Sequence, residues 1–257
     1  MQRRLWLTAQ RLALLAFMLL AWQVASGKLV DPFFISSPSR VYSDLKRGFG
    51  DGGSLANDTI VTLTEAGIGL VTGMVSGVLV GLVFSFWRRL ALLLEPFMAV
   101  LNALPRPALA PLAVLWFGLG MTSKVFIAWS LVFFVAFYNT IEGVRSIERE
   151  TINAIRVMRP SRWQLMRLVI LPAVLAWVFA AFRVSVSLAL IGAIVAEFVG
   201  ATAGLGYQLT TAQGLLDTDR VFSVFVLTGA LAAILLALAH MVEETVLKWR
   251  PKPELGL

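Results

Sequence analysis

Six long apolar stretches, each able to cross roughly 30 Å of hydrocarbon at about 1.5 Å per helical residue, constrain this chain more than any other feature of it. They occupy 5–25, 59–87, 90–120, 125–141, 168–199 and 221–242. Lipid offers no water to satisfy backbone N–H and C=O groups, so stretches of this kind cross as helices. The expected fold is all-α: a polytopic membrane protein of about six transmembrane helices, forming one domain over 1–257. Composition agrees, since 58% of the 257 residues are hydrophobic and 14% charged, against about 25% charged in a soluble domain. Several stretches exceed 25 residues, which calls for tilt, kinks or extension beyond the bilayer.

The net charge of +7 would raise nucleic acid as a partner in a soluble protein, but here the basic residues flank the apolar stretches. The partner they imply is the lipid bilayer. With the N-terminus in the cytoplasm, fourteen Lys and Arg residues fall on the inner side, Arg11 in the first turns of the first span among them, and six outside; Arg106 and Arg183 lie deeper within spans. That asymmetry places both termini inside. Arg3 and Arg4, the apolar run after them and Val24-Ala25-Ser26 also have the pattern of a secretory signal. We read the segment as a retained anchor; its removal would leave five spans. The chain has no cysteine and one histidine, His240, which excludes disulfides, thiol chemistry and a Cys-ligated metal, and gives a metal role no partner.

Between the first two spans, Asp31-Pro32, Ser37-Pro38-Ser39 and Asp51-Gly52-Gly53 mark turns around a short surface helix near 40–49, whose charges solvate it. In the second span Gly69, Gly73, Gly77 and Gly81 recur every fourth residue. They form one small-residue face for close helix packing, within the subunit or across a dimer seam. In the third, Pro105-Arg106-Pro107 and Pro111 break the helix near its middle. A break at membrane depth must be shielded by protein or line water, which suits a gate as well as a packing kink.

Charges inside spans are costly unless paired, snorkelling or wet. Arg183, Arg106, Glu65 and Glu197 are therefore the candidate pathway residues. Arg183 leads, about 22 Å along a helix that begins at residue 168. An internal ion pair is the competing reading for each.

The region 142–167 carries six arginines and three glutamates, too short for a domain. It reads as a pair of cytoplasmic surface helices, with Ser161 as N-cap of the second. Ser161-Arg162-Trp163-Gln164-Leu165 followed by Val169-Ile170-Leu171-Pro172-Ala173 resembles the end of the signature loop of ABC-importer permeases, E-A-A-x3-G-x9-I-x-L-P. Counting back from Leu171-Pro172, the signature Glu falls on Asn153, its first Ala on Ala154, its second on Ile155 and its Gly on Arg159, followed by Pro160. The runs Ala196 to Ala201, Gly204-Leu205-Gly206-Tyr207, Leu115-Trp116-Phe117-Gly118 and Asn139-Thr140 with Gly143-Val144-Arg145 resemble the nitrate/sulfonate/taurine branch. The similarity covers roughly residues 59–250.

The resemblance implies a type I ABC-importer permease of a bacterial cytoplasmic (inner) membrane. It implies a second permease copy, most simply a homodimer, two cytoplasmic ATPase subunits and an external solute-binding protein. Glu150, Asn153, Ala154, Arg159, Pro160, Ser161, Trp163, Leu171 and Pro172 would then form the coupling element, with Leu171-Pro172 as a stiff joint to the fifth span. No G-x4-G-K-[S/T] sequence occurs, so ATP and Mg belong to the partner ATPase and this chain is not itself an enzyme. The implied solute is a small anion such as nitrate, a sulfonate or taurine; a thiamine-precursor-like metabolite is the alternative. A secondary transporter without ATPase and a membrane enzyme are the competing classes. The latter lacks a nucleophile with a base, paired carboxylates or a metal cluster.

Overall fold

The computed structural model describes residues 2–147 and 161–246. Within them the chain is helical, with no strand. The elements are α1 (Gln2–Lys28), α2 (Pro38–Phe49), α3 (Leu55–Phe86), α4 (Arg88–Ala103), α5 (Arg106–Phe117) and α6 (Met121–Arg145). A turn at Arg162–Leu165 and a π turn at Met166–Ile170 lead into α7 (Leu171–Val199), then α8 (Leu205–Gly214) and α9 (Thr218–Val246).

The core is a three-helix stack of α3, α6 and α7, and the glycines define its register. A Cβ built on Gly69 would lie 2.5 Å from the Cβ of Ala128, one on Gly73 2.7 Å from that of Val132, one on Gly77 2.7 Å from that of Ala136 and one on Gly81 2.8 Å from that of Thr140. Both numbers rise together, so α3 and α6 run parallel and meet along the whole glycine face. The stripe is thus a seam inside the subunit, where any larger residue would force the two backbones apart. Trp129 Nε1 donates to Ser76 Oγ at 2.9 Å across the same seam. On the other side of α6, Gly192 meets Ala128 and Gly143 meets Val174 and Trp177, so α7 runs antiparallel to both.

The remaining elements follow from these directions. Arg183 of α7 reaches Glu243 of α9, which sets α9 antiparallel to α7. Trp22 near the end of α1 packs at a tilt against Phe222 near the start of α9, centroids 5.8 Å apart. The starts of α1 and α7 and the ends of α3, α6 and α9 therefore share one side, called inner below after the charge asymmetry; α2 and α8 lie on the outer side. Along most of its length α1 stands apart from the body, with Leu14, Phe17 and Leu20 exposed.

The third apolar stretch breaks where its prolines fall. The helices α4 and α5 meet at an angle of 94°. Because α4 starts at the inner end of α3 and α5 ends beside Gly200, where Leu119 and Val114 lie close, the bent pair makes one crossing. With the other long helices this gives six candidate crossings among the described residues.

The surface helix α2 differs from its expectation. Asp44 does not solvate it; it is buried and pairs with Arg220 at the start of α9 at 3.2 Å. Ser223 Oγ donates to Val41 O at 3.3 Å and Ser36 Oγ to Asp219 Oδ1 at 2.6 Å. An apolar face alone would have let α2 float on the bilayer; these polar contacts fix it to α9.

Candidate translocation and coupling elements

At the outer end of the stack lies a buried polar node. Asp58, Thr62 and Glu65 recur at i, i+4 and i+7 on one face of α3, so their side chains stack along the helix toward the end of α7. There Thr62 Oγ1 donates to Glu197 Oε1 at 2.7 Å and accepts the Leu205 N–H at 2.8 Å. Asp58 Oδ1 accepts the Gly204 N–H at 2.8 Å, and Glu197 Oε2 accepts the Gly206 N–H at 2.5 Å. Three amides at the start of α8, which have no partner inside their own helix, are satisfied from two other elements. These carboxyls also sit at the positive end of the α8 dipole, which favours their ionised form.

Space at this node is tight. Gly204 has φ +108°, a conformation that favours glycine, and any side chain there would run into the Glu197 carboxylate. Gln208 Nε2 extends the network to Asp58 Oδ2 at 2.6 Å and Ser54 Oγ at 2.7 Å. Lys124, counted in the sequence among external basic residues, is buried at the start of α6; it donates to Leu119 O and Gly120 O and lies near Glu65 and Glu197.

Two pathway candidates are thereby relocated. Glu197 is 1% exposed with both oxygens engaged, and Glu65 is 4% exposed, its carboxyl against that of Glu197 and its Oε2 without a hydrogen-bond partner. Both hold helices together inside the subunit and neither faces open space. The sequence reading missed Asp58, Thr62 and Lys124, although the three-residue polar period on an otherwise apolar face was there to be seen.

Arg106 is relocated as well. Its Nη1 donates to Leu101 O at 2.8 Å and its Nη2 to Asn102 O at 3.3 Å, while the guanidinium lies 4.6 Å from the centre of the Phe134 ring. Pro105 and Pro107 end one helix and start the next. Arg106 between them caps the carbonyls the break leaves open and is 9% exposed.

Arg183 lies shallower than the sequence suggests. Trp177 Nε1 donates to Ser146 Oγ at 3.1 Å, which places Trp177 level with the end of α6. Arg183 is six residues beyond, about 9 Å, because the helix begins well before the level at which α6 ends. It pairs with Glu243 and stays about half exposed, within reach of the inner side by snorkelling.

The structure describes the exit of the loop expected to couple to an ATPase. Glu150, Asn153, Ala154, Arg159 and Pro160 lie outside the described residues. Ser161 Oγ accepts the Gln164 N–H at 3.2 Å while Gln164 Oε1 accepts the Ser161 N–H at 2.8 Å, a reciprocal capping box. Trp163 is largely exposed. The chain is then helical without interruption from Trp163 to Val199, a rod of about 55 Å. Pro172 lacks the N–H that an α-helix would use, and the turn before it widens, Leu171 N–H bonding to Met166 O; this is how the helix absorbs the proline. Leu171 is exposed on that turn.

A cavity of about 670 Å³ opens at the inner end between α3, α4 and α6, with Arg88, Glu95, Tyr138 and Arg145 among its walls.

Residues 69–247 match the profile of the binding-protein-dependent transport system inner membrane component family. The chain belongs to this family. It is 34% identical over 236 residues to the riboflavin transport system permease protein of Chloroflexus aurantiacus, covering 91% of this chain and 88% of that one. It is 28% identical over 219 residues to the taurine transport system permease protein of Escherichia coli, covering 83% and 79%. Among solved structures, an inward-facing form of the MetNI methionine ABC transporter superposes with a TM-score of 0.66 at 17% identity, over 75% of this chain and 95% of that one. That likeness concerns the fold, a type I ABC-importer permease.

As a member of this family the chain is the membrane-spanning permease component of an ABC importer for small solutes. It carries out no covalent chemistry; a separate ATPase hydrolyses ATP, and a binding protein supplies the solute. The rod that begins at the capping box and ends at Glu197 crosses the subunit from the inner side to the outer node.

Proposed function

We propose that two copies of this chain enclose a pathway in a bacterial inner membrane. Both termini lie in the cytoplasm, two ATPases carrying ATP and Mg grip the 142–167 loops, and a binding protein docks outside. The pathway imposes no strong charge selection of its own; the binding protein chooses the solute. The observation that carries this reading is that the in-span cations already have protein partners: Arg106 the carbonyls of α4, Lys124 those before α6, and Arg183 the Glu243 carboxylate. A fixed anion site would need at least one of them uncommitted.

Within that reading a small anion, a sulfonate or taurine above all, is the first solute to test, supported by the 28% identity to the taurine permease. A heterocyclic metabolite of the thiamine-precursor kind is the second reading, supported by the 34% identity to the riboflavin permease and by the committed arginines. The test is uptake in proteoliposomes holding the permease, its ATPase and its binding protein. Exchanging the binding protein for one of different ligand is expected to transfer specificity. Retention of the original solute preference after the exchange would overturn the reading, and uptake without the ATPase would favour a secondary transporter.

A further inference from the structure

The inner cavity combines features that no transport step described above uses. Its volume, about 670 Å³, lies within the range of about 300–1,000 Å³ common to small-molecule sites. Its charges are sorted by depth. Arg88 opens α4 and Arg145 closes α6, both at the inner mouth. Seven residues further in on each helix, about 10 Å, stand Glu95 and Tyr138, close enough for the carboxylate to act on the phenol electrostatically. Around them Phe84 and Phe137 pack edge to face at 5.0 Å, and Phe137 and Tyr138 do likewise at 5.0 Å. A carboxylate beside aromatic rings favours an organic cation, whereas paired arginines at the mouth favour an oxyanion.

We propose that this cavity binds a small zwitterion, its ammonium group held between Glu95 and the ring of Tyr138, which the buried rings of Phe84 and Phe137 back from behind, and its oxyanion at Arg88 and Arg145. Arg145 is also in contact with Glu142 at 3.3 Å, which the incoming oxyanion displaces or shares. A lone anion meets Glu95 and a lone cation meets two arginines; only a molecule with both charges satisfies the two ends. The ligand has a structural consequence. None of the residues of α4 is fully buried; it packs on α3 and α6 through the partly buried Leu90, Ala91, Leu94 and Met98, and an occupant adds a second brace to the first half of the broken span from the inner side. The site is distinct from solute selection by the binding protein and does not depend on which solute is imported.

Two sources share this chemistry, a free amino-oxyanion and the phosphoethanolamine headgroup of a lipid. The test uses the permease with its ATPase in nanodiscs, without binding protein or nucleotide, so that binding is read apart from import. Taurine is the probe, with ethanesulfonate and ethylamine as single-charge controls, followed by saturation-transfer NMR or a thermal shift. In phosphatidylcholine discs taurine is expected to bind, and each control to bind about tenfold or more weakly. Glu95→Gln and Arg88→Gln, both at exposed positions, are each expected to weaken taurine about tenfold. If phosphatidylethanolamine discs suppress taurine binding in the parent but not through a general loss of stability, the headgroup is the natural occupant; if they do not, a free zwitterion is. Equal binding of taurine and ethanesulfonate, or taurine binding indifferent to both substitutions, would overturn the proposal.

Discussion

Thr62 and Glu197, 135 positions apart, share a buried hydrogen bond of 2.7 Å that fastens the middle of the outer half of α3 to the last turn of α7. The same threonine oxygen receives the Leu205 N–H, so one hydroxyl joins three helices.

Thr62→Val keeps the shape and removes both roles of the hydroxyl. It is expected to cost about 1–3 kcal/mol, since the Leu205 amide and a Glu197 oxygen each lose a partner in a buried setting. The thermal midpoint of the purified complex should fall, while Thr59→Val, whose hydroxyl bonds only to its own helix at Leu55 O, should leave it almost unchanged. Equal midpoints for the two variants would refute the node as a fastening.

Two neighbouring glycines of α3 should respond oppositely to the same change. Gly69→Ala drives a methyl into Ala128 and is expected to destabilise by about 1–3 kcal/mol. Gly67 has open space at its Cβ position, and Gly67→Ala should stabilise by about 0.5–1 kcal/mol through helix propensity. Thermal or denaturant midpoints of the two variants side by side decide this.

Arg106 and solute recognition separate kinetically. As a cap on the α4 carbonyls and a cation over Phe134, Arg106→Gln is expected to lower stability by about 1–3 kcal/mol and to reduce the transport rate with the apparent KM for delivered solute nearly unchanged. A raised KM in a protein of parental stability would return Arg106 to the pathway.

The Arg183–Glu243 pair lends itself to exchange. Arg183→Ala alone should lower uptake, and the double variant Arg183→Glu with Glu243→Arg should restore most of it if pairing between α7 and α9 is what matters. Failure of the exchanged pair to recover uptake, with normal assembly, would point to a direct contact between Arg183 and solute.

At the inner end, Ser161→Ala removes half of the capping box formed with Gln164 and is expected to cost about 0.5–2 kcal/mol of local helix stability. The readout is ATP hydrolysis stimulated by loaded binding protein, which should fall while basal hydrolysis by the ATPase holds.

Features governed by local chemistry were legible in the sequence. The spans showed in their length, the break in Pro105 and Pro107, the cap in Ser161, and the packing face in the four-residue spacing of Gly69 to Gly81. Features that depend on partners distant in sequence were not. Nothing near Lys124 announces that it is buried beside Glu65 and Glu197, and nothing near Asp44 announces Arg220, 176 residues later. The depth of Arg183 was misjudged for a related reason: an apolar run does not reveal at which of its turns the neighbouring helix ends, and only the hydrogen bond from Trp177 to Ser146 sets that level. Glu65 and Glu197 drew notice as charges in lipid, but their fate depended on the amides of α8, which the sequence hides inside a glycine-rich turn.

The parallel seam of α3 and α6 also governs the order of assembly. A helix cannot pair with a parallel neighbour until the chain has returned across the membrane, so the glycine face of α3 waits for α4, the bend at Pro105 and α5 before α6 can close on it. At roughly 5–20 residues per second of synthesis, that is a delay of some seconds with a small-residue groove open to lipid. A lesion in the broken span would therefore be felt first during insertion, as α6 arriving late or misaligned, before any effect on the finished permease.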